Sequence, residues 1–176
     1  MNHRALEYLL VVLLVCGLPV RGIASDRHIR WPGPYAVTIA AVLDGDSVVV
    51  ELDGDCPFGC REGLDGKQII TVRIAGIDAP EIHACRGDAN ASCAACPAEL
   101  ELGRRAKATV IDLTRPVEAA RIIALSPDKY SGRVIGDLQV RRGDIWLSIA
   151  DELLKGEMAV PYDGGRKSKP WCGDVR

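Results

Sequence analysis

The chain has 176 residues, 48% hydrophobic and 26% charged, which is enough apolar material for one domain-sized core. Mixed charges with a net of only −2 exclude a disordered polyelectrolyte, and a single continuously apolar stretch, near the N-terminus, excludes a polytopic membrane protein. Aromatics are 5% with one Phe and the sequence pI is near 5.9, so stacked-ring platforms and a broad basic surface are poor fits, and any polyanion must be met with local charge.

His3 and Arg4 precede a 12-residue apolar run, Leu9–Val20, broken by Gly17 and Pro19. A helix of that length rises about 18 Å, short of a bilayer core of about 30 Å. Gly22-Ile23-Ala24 then puts small residues where a signal peptidase reads. Residues 1–24 are therefore expected to be a cleaved export signal, followed by one domain over 25–176. Glu7 and Arg21 are off-pattern and make an uncleaved anchor the main rival; a lipid-modified Cys16 is less apt because Val15 is bulky. Cleavage removes Arg4, Arg21 and Glu7 from 22 basic and 24 acidic residues, leaving 20 and 23, a net of −3.

Cys16 leaves with the signal, and six cysteines remain: Cys56, Cys60, Cys85, Cys93, Cys96 and Cys172. An even number in an exported chain predicts disulfides, and a periplasmic or extracellular location. Proximity favours Cys56–Cys60, with the other four sharing two bonds. The alternatives are a zinc site from Cys56-x3-Cys60 and Cys93-x2-Cys96, or a redox pair at Cys93-Ala-Ala-Cys96.

Tyr35–Leu43 and Ser47–Leu52 are rich in Val, Ile and Thr and are split by Asp44-Gly45-Asp46, which predicts strand, turn, strand. Asp53–Lys67 is a glycine-rich loop. Ile69–Ile77 is a third strand with Ile70, Val72 and Ile74 on one face and Thr71, Arg73 and Ala75 on the other. Glu81–Cys96 is an irregular loop. Pro97 opens a helix whose stripe is Leu102, Ala106, Val110 and Leu113, stopped before Pro116. Val117–Leu125 and Val134–Val140 are strands joined by Ser126–Arg133. Asp144 is expected to cap a second helix over Ile145–Lys155, with Leu147, Ala150 and Leu154 inward. From Pro161 the tail is rich in Gly and Lys. Three strands, a helix, two strands and a helix is the layout of a five-stranded OB-type Greek-key barrel, an α+β fold that is mainly β, here with two helices and a short C-terminal tail.

Three segments hold charge where apolar strands surround them: Asp44-Gly-Asp-Ser47, Arg73-Ile-Ala-Gly-Ile-Asp78-Ala-Pro-Glu81 and Asp128-Lys-Tyr-Ser-Gly-Arg133. Each alone has an ordinary explanation, as a turn, a solvated strand residue or an X-Pro break. Together, in this order, they resemble the staphylococcal nuclease (thermonuclease-like) family over roughly residues 36–162. The second segment carries most of the resemblance, through Arg73, Asp78 and Glu81 at their fixed spacing.

That resemblance implies an exported nuclease that hydrolyses phosphodiesters of DNA and RNA with low sequence specificity. Asp46, Asp78 and the backbone carbonyl of Ala79 would bind Ca²⁺, with Mn²⁺ or Mg²⁺ as alternatives. Hard carboxylate oxygens are the donors such ions take. Glu81 would act as general base toward a water, and Arg73 and Arg133 would hold phosphate oxygens through their planar, permanently charged forks. Tyr130 stands where the family uses a Tyr near the nucleotide, and Tyr162 is a looser second candidate. DNA and RNA are the only partners implied; the chain is expected to be a monomer that meets a membrane only through an uncleaved signal.

Departures from the pattern are as informative. Ala79 stands where the family often has Thr, which spares the carbonyl. Ser131 lengthens the turn before Arg133 by one residue and bears on the reach of that side chain. The chain ends soon after residue 162, where the family has a third helix, and a disulfide to Cys172 is expected to pin the tail instead. The rival functions are a non-catalytic OB-fold module that binds nucleic acid and a disulfide-stabilised envelope or secreted interaction protein.

Overall fold

The computed structural model describes residues 30–52, 54–85, 93–165, 167 and 170–173; the expected export signal lies outside them. Apolar residues at alternate positions put one face of the long strands inward. Strand β1 (Tyr35–Val42) runs antiparallel to β2 (Ser47–Leu52), and β2 runs antiparallel to β4 (Gln68–Ile74), whose first residues also pair with the two-residue β3 (Arg61–Glu62). The other edge of β1 takes β6 (Ala119–Pro127), which pairs antiparallel with β7 (Arg133–Arg142). β7 then lies parallel to β4, with Thr71 opposite Arg133 and Arg73 opposite Ile135. This last pairing closes a five-stranded mixed barrel, the OB-fold-like α+β architecture expected from the element order. Register shifts between Ile39 and Ala41 and between Ile123 and Ser126 bend β1 and β6, as closure of so small a barrel requires.

Ile70, Val72 and Ile74 are all buried, as their alternation predicts, and meet Val48, Val50, Ile122, Leu138 and Val140 in the core. Helix α1 (Pro97–Thr114) buries Gly103, Ala106, Val110 and Thr114, a stripe turned slightly from the expected one, so Leu102 and Leu113 are only half-buried. A two-stranded ribbon, β5 (Ile77–Asp78) with β9 (Val160–Pro161), replaces the end of the expected third strand.

The second helix is shorter than expected. Ile145–Ser148 is strand β8, paired with the end of β7, and helix α2 covers only Ile149–Lys155. Gly143 takes φ 58° in the turn between the paired residues Arg142 and Ile145, so Asp144 belongs to a hairpin and Ser148 takes the N-cap position. Ile149, Ala150 and Leu153 face the core, while Leu147 and Leu154 pack at its edge.

All six cysteines after the expected signal are paired: Cys56–Cys60, Cys85–Cys93 and Cys96–Cys172. No thiolate among them is left for zinc or for a redox pair, and the three bonds fit an oxidising location. Cys96–Cys172 spans 76 residues and ties the tail to the start of α1. Removing a bond that closes so long a loop costs about 2–5 kcal/mol. The Cys96→Ser, Cys172→Ser double variant should therefore melt several degrees below the wild type in oxidising buffer, and both should melt alike in strong reductant if the bond is the cause.

On the face of β7 opposite the core, Asp137 accepts hydrogen bonds from Ser148 Oγ at 2.8 Å and Gln139 Nε2 at 2.6 Å. Burial pushes its pKa up; those two bonds and Arg121 oppose the rise, and Asp151 adds to it. A carboxyl raised on folding contributes stability that is complete below the unfolded-state pKa and is lost as pH rises through the folded value. Asp137→Asn should accordingly raise the melting temperature more at pH 7 than at about pH 4, relative to wild type at each pH. Equal shifts at the two pH values would contradict this.

Candidate functional site

The turn between β1 and β2 is fixed by its own backbone: Leu43 and Asp44 N–H groups reach Ser47 O, Asp46 N–H donates to Asp44 Oδ1 at 3.0 Å, and Ile74 N–H donates to Asp46 O at 2.8 Å. The Asp46 side chain is thereby held against β4. Arg73 alternates with the core residues Val72 and Ile74 and so emerges on the opposite face, beside the turn. Its Nη1 lies 3.0 Å from Asp46 Oδ1 and its Nη2 3.0 Å from Asp78 Oδ1. One guanidinium thus joins two carboxylates brought from β5 and the β1–β2 turn.

Both aspartates are buried, Asp46 at 5% and Asp78 at 2% exposure as whole residues. Asp46 Oδ1 also accepts from Ser47 Oγ at 3.1 Å and its Oδ2 from Ala79 N–H at 3.0 Å. Burial, opposed by Arg73 and reinforced by Asp44, pushes the Asp46 carboxyl up to about 6. Burial works against the Arg73 cation, but Asp46 and Asp78 more than offset it and raise its pKa. Lys167, from the tail, sets Nζ 2.7 Å from Asp78 Oδ1 and 3.5 Å from Glu81 Oε1.

A cleft of about 460 Å³ opens over this cluster. Asp46, Arg73, Ala79, Glu81, Tyr130 and Arg133 all line it, and Asp78 lies beneath through its bond to Arg73. Every residue singled out in the sequence is therefore brought to one place. The extra residue Ser131 does not carry Arg133 away: its Nε is held by Asp128 Oδ2 at 2.7 Å, and its guanidinium lies 4.9 Å from the Tyr130 ring. Tyr130 is 57% exposed at the rim. Tyr162 does belong here, lining the cleft with its ring 5.5 Å from the Arg73 guanidinium.

Two residues escaped the sequence. Lys167 sits in a tail with no periodicity to place it. Glu99 is fully buried, accepting from Ala95 N–H at 2.6 Å and, more weakly, from Glu81 N–H at 3.5 Å. A Glu three residues after the helix-capping Cys96 is a capping-box signal and could have pointed to it.

The site is packed without slack. A Cβ on Gly103 of α1 would come 2.5 Å from Glu81 O and 2.7 Å from Pro80 O, and one on Gly45 would come 2.7 Å from Ala79 Cβ. Two glycines thus let α1 and the β1–β2 turn approach the Ala79–Glu81 segment.

Among the described residues no three His, Cys, Asp or Glu side chains gather into a ready-made metal cage. Of the two buried carboxylates, Asp46 lines the cleft and Asp78 lies beneath it. Hard carboxylate oxygens are the donors that Ca²⁺ and Mg²⁺ take, whereas zinc is commonly held by nitrogen and sulfur. The Lys167 ammonium is seated on Asp78 and near Glu81. No protein-family model and no curated protein matches the chain.

Gly103→Ala should lower stability. The clash with fixed backbone carbonyls costs about 1–3 kcal/mol, more than the roughly 1 kcal/mol that Ala gains over Gly in a helix. Thermal or urea melts check this, and an unchanged midpoint would show that the Pro80–Glu81 segment yields without cost.

Proposed function

We propose that this protein is an exported, metal-dependent phosphodiesterase of the staphylococcal nuclease type, cutting DNA and RNA with little sequence preference. The observation that carries this reading is the convergence of Asp46, Arg73, Glu81 and Arg133 on one cleft, with Asp78 bonded beneath it. Charge supports it as well. Around Arg73, four carboxylates (Asp44, Asp46, Asp78 and Glu81) face two cations, Arg73 and Lys167. The rest of the lining adds Asp128, Lys129 and Arg133, which leaves the cleft with a surplus of one negative charge.

Asp46 and Asp78 would hold the ion, with the Ala79 carbonyl as a further donor. Bound there, it would offset the charge of the phosphate and polarise the scissile P–O bond. Glu81, on the cleft wall, would take the proton of an attacking water. Arg73 and Arg133 would bind non-bridging phosphate oxygens and stabilise the added negative charge of the transition state. Asp128 orients the Arg133 fork from its Nε side, so the terminal nitrogens are the ones offered to substrate. Tyr130 and Tyr162 would flank the nucleotide. The acidic balance of the chain then implies weak non-specific affinity for nucleic acid and strong reliance on the metal.

Plasmid DNA and RNA incubated with Ca²⁺, Mn²⁺ or Mg²⁺ should be degraded, and chelator should abolish this. Glu81→Gln should lower kcat by about 10²–10⁴-fold. Arg133→Lys should fold normally yet lose most activity, because a point charge cannot replace the fork. If the protein retards DNA on a gel but leaves it intact with every metal, the non-catalytic binding module is the correct reading.

A further inference from the structure

The chain between Val160 and Cys172 is fastened at both ends. At the first, Val160 pairs with Asp78 and Pro161 with Ile77, and Tyr162 N–H donates to Gly76 O at 2.9 Å. At the second, a short 3-10 turn, Pro170–Cys172, ends in the disulfide to Cys96 at the start of α1. From the first anchor the chain turns sharply, with Tyr162 Oη on Gly165 O at 3.0 Å and Gly165 N–H on Asp163 Oδ1 at 2.9 Å. Tyr162, Gly164 and Lys167 then line the cleft. These described residues form a strap along the cleft wall, and it carries a lysine whose ammonium rests on one proposed metal ligand and the proposed base.

Asp78 Oδ1 already receives Arg73 Nη2 at 3.0 Å and Lys167 Nζ at 2.7 Å. A Ca²⁺ ion lies about 2.3–2.6 Å from each ligand oxygen. An ion bound through Asp78 Oδ1 would therefore compete with the Lys167 ammonium for an oxygen that Arg73 already shares. We propose that Lys167 is a tethered cation that occupies the divalent-ion position and has to leave when the ion binds, so that the C-terminal strap sets the metal affinity of the site. This inference rests on the metal-site reading above. Occupancy by the lysine lowers the apparent affinity by the fraction of molecules in which the position is open. The Cys96–Cys172 bond keeps the lysine at high local concentration, because it stops the strap from diffusing away.

The test is calorimetric titration of the whole folded protein with CaCl₂, and separately MnCl₂, without nucleic acid. Lys167→Met should bind roughly tenfold more tightly than wild type. Lys129→Met removes another cleft lysine, one that lies 5.1 Å from the Tyr130 ring, and should leave the affinity within about twofold, which separates local displacement from a general change of charge. The Cys96→Ser, Cys172→Ser variant should also bind more tightly, and adding Lys167→Met to it should give less than the product of the two gains. Equal or weaker binding by Lys167→Met, with clear binding by wild type, overturns the displacement and leaves the metal site standing. Equal gains in Lys167→Met and Lys129→Met also overturn it. Absence of binding in both wild type and Lys167→Met overturns the metal-site reading, and this inference with it.

Discussion

Arg73 binds two buried carboxylates at once, and the arrangement of the cleft follows from that. Its side chain is 13% exposed and those of Asp46 and Asp78 are 7% and 3% exposed, so all three charges sit largely out of water. Leaving such a buried charge without its partner costs about 3–5 kcal/mol. The turn before β2, strand β4 and strand β5 therefore cannot move independently of one another. The alternation of β4 makes this possible, since the strand whose inward residues fill the barrel sends its one arginine outward beside the turn.

The rest of the site is built against that cluster by close packing and by buried polar groups. Gly103 lets α1 approach the carbonyls of Pro80 and Glu81, and Gly45 lets the β1–β2 turn pack on Ala79 and Ala106, so the Ala79–Glu81 segment is wedged between α1 and that turn. Glu99 pulls on the same segment from below, joining Glu81 N–H to the loop that leads into α1. Helix α1 thus does more than cover the barrel: its first turn fixes Glu81 and, through Cys96, the far end of the strap. The position of one carboxylate is shared among helix, loop and tail.

Much of this was legible in the sequence because it is local. Alternation in 69–74 fixes which residues face inward, and Asp-Gly-Asp between apolar runs fixes a turn, so Asp46, Arg73 and their barrel were within reach. The misreading at Ile145 has a physical cause. Leu147, Ala150 and Leu154 fit a helical period, but pairing with β7 through the turn at Gly143 offers Ile145–Ser148 backbone hydrogen bonds that no local pattern encodes. The Gly-Asp step was the available signal. Lys167 was beyond reach for a different reason. Its placement depends on a disulfide whose partner lies 76 residues away and on a ribbon formed with β5, both properties of the finished fold.

The parallel seam between β4 and β7 has a further consequence. It sets Arg73 abreast of Ile135 and Thr71 abreast of Arg133, so the two guanidinium groups of the cleft come from opposite sides of a junction that joins segments about sixty residues apart. Pairings of this kind are slow to form, because a long stretch of chain must be gathered before any reward arrives. A half-made molecule, with its early hairpin in place but the seam still open, would hold the acidic pair and lack the second arginine. The charged cluster of the cleft is therefore complete only once the barrel has closed.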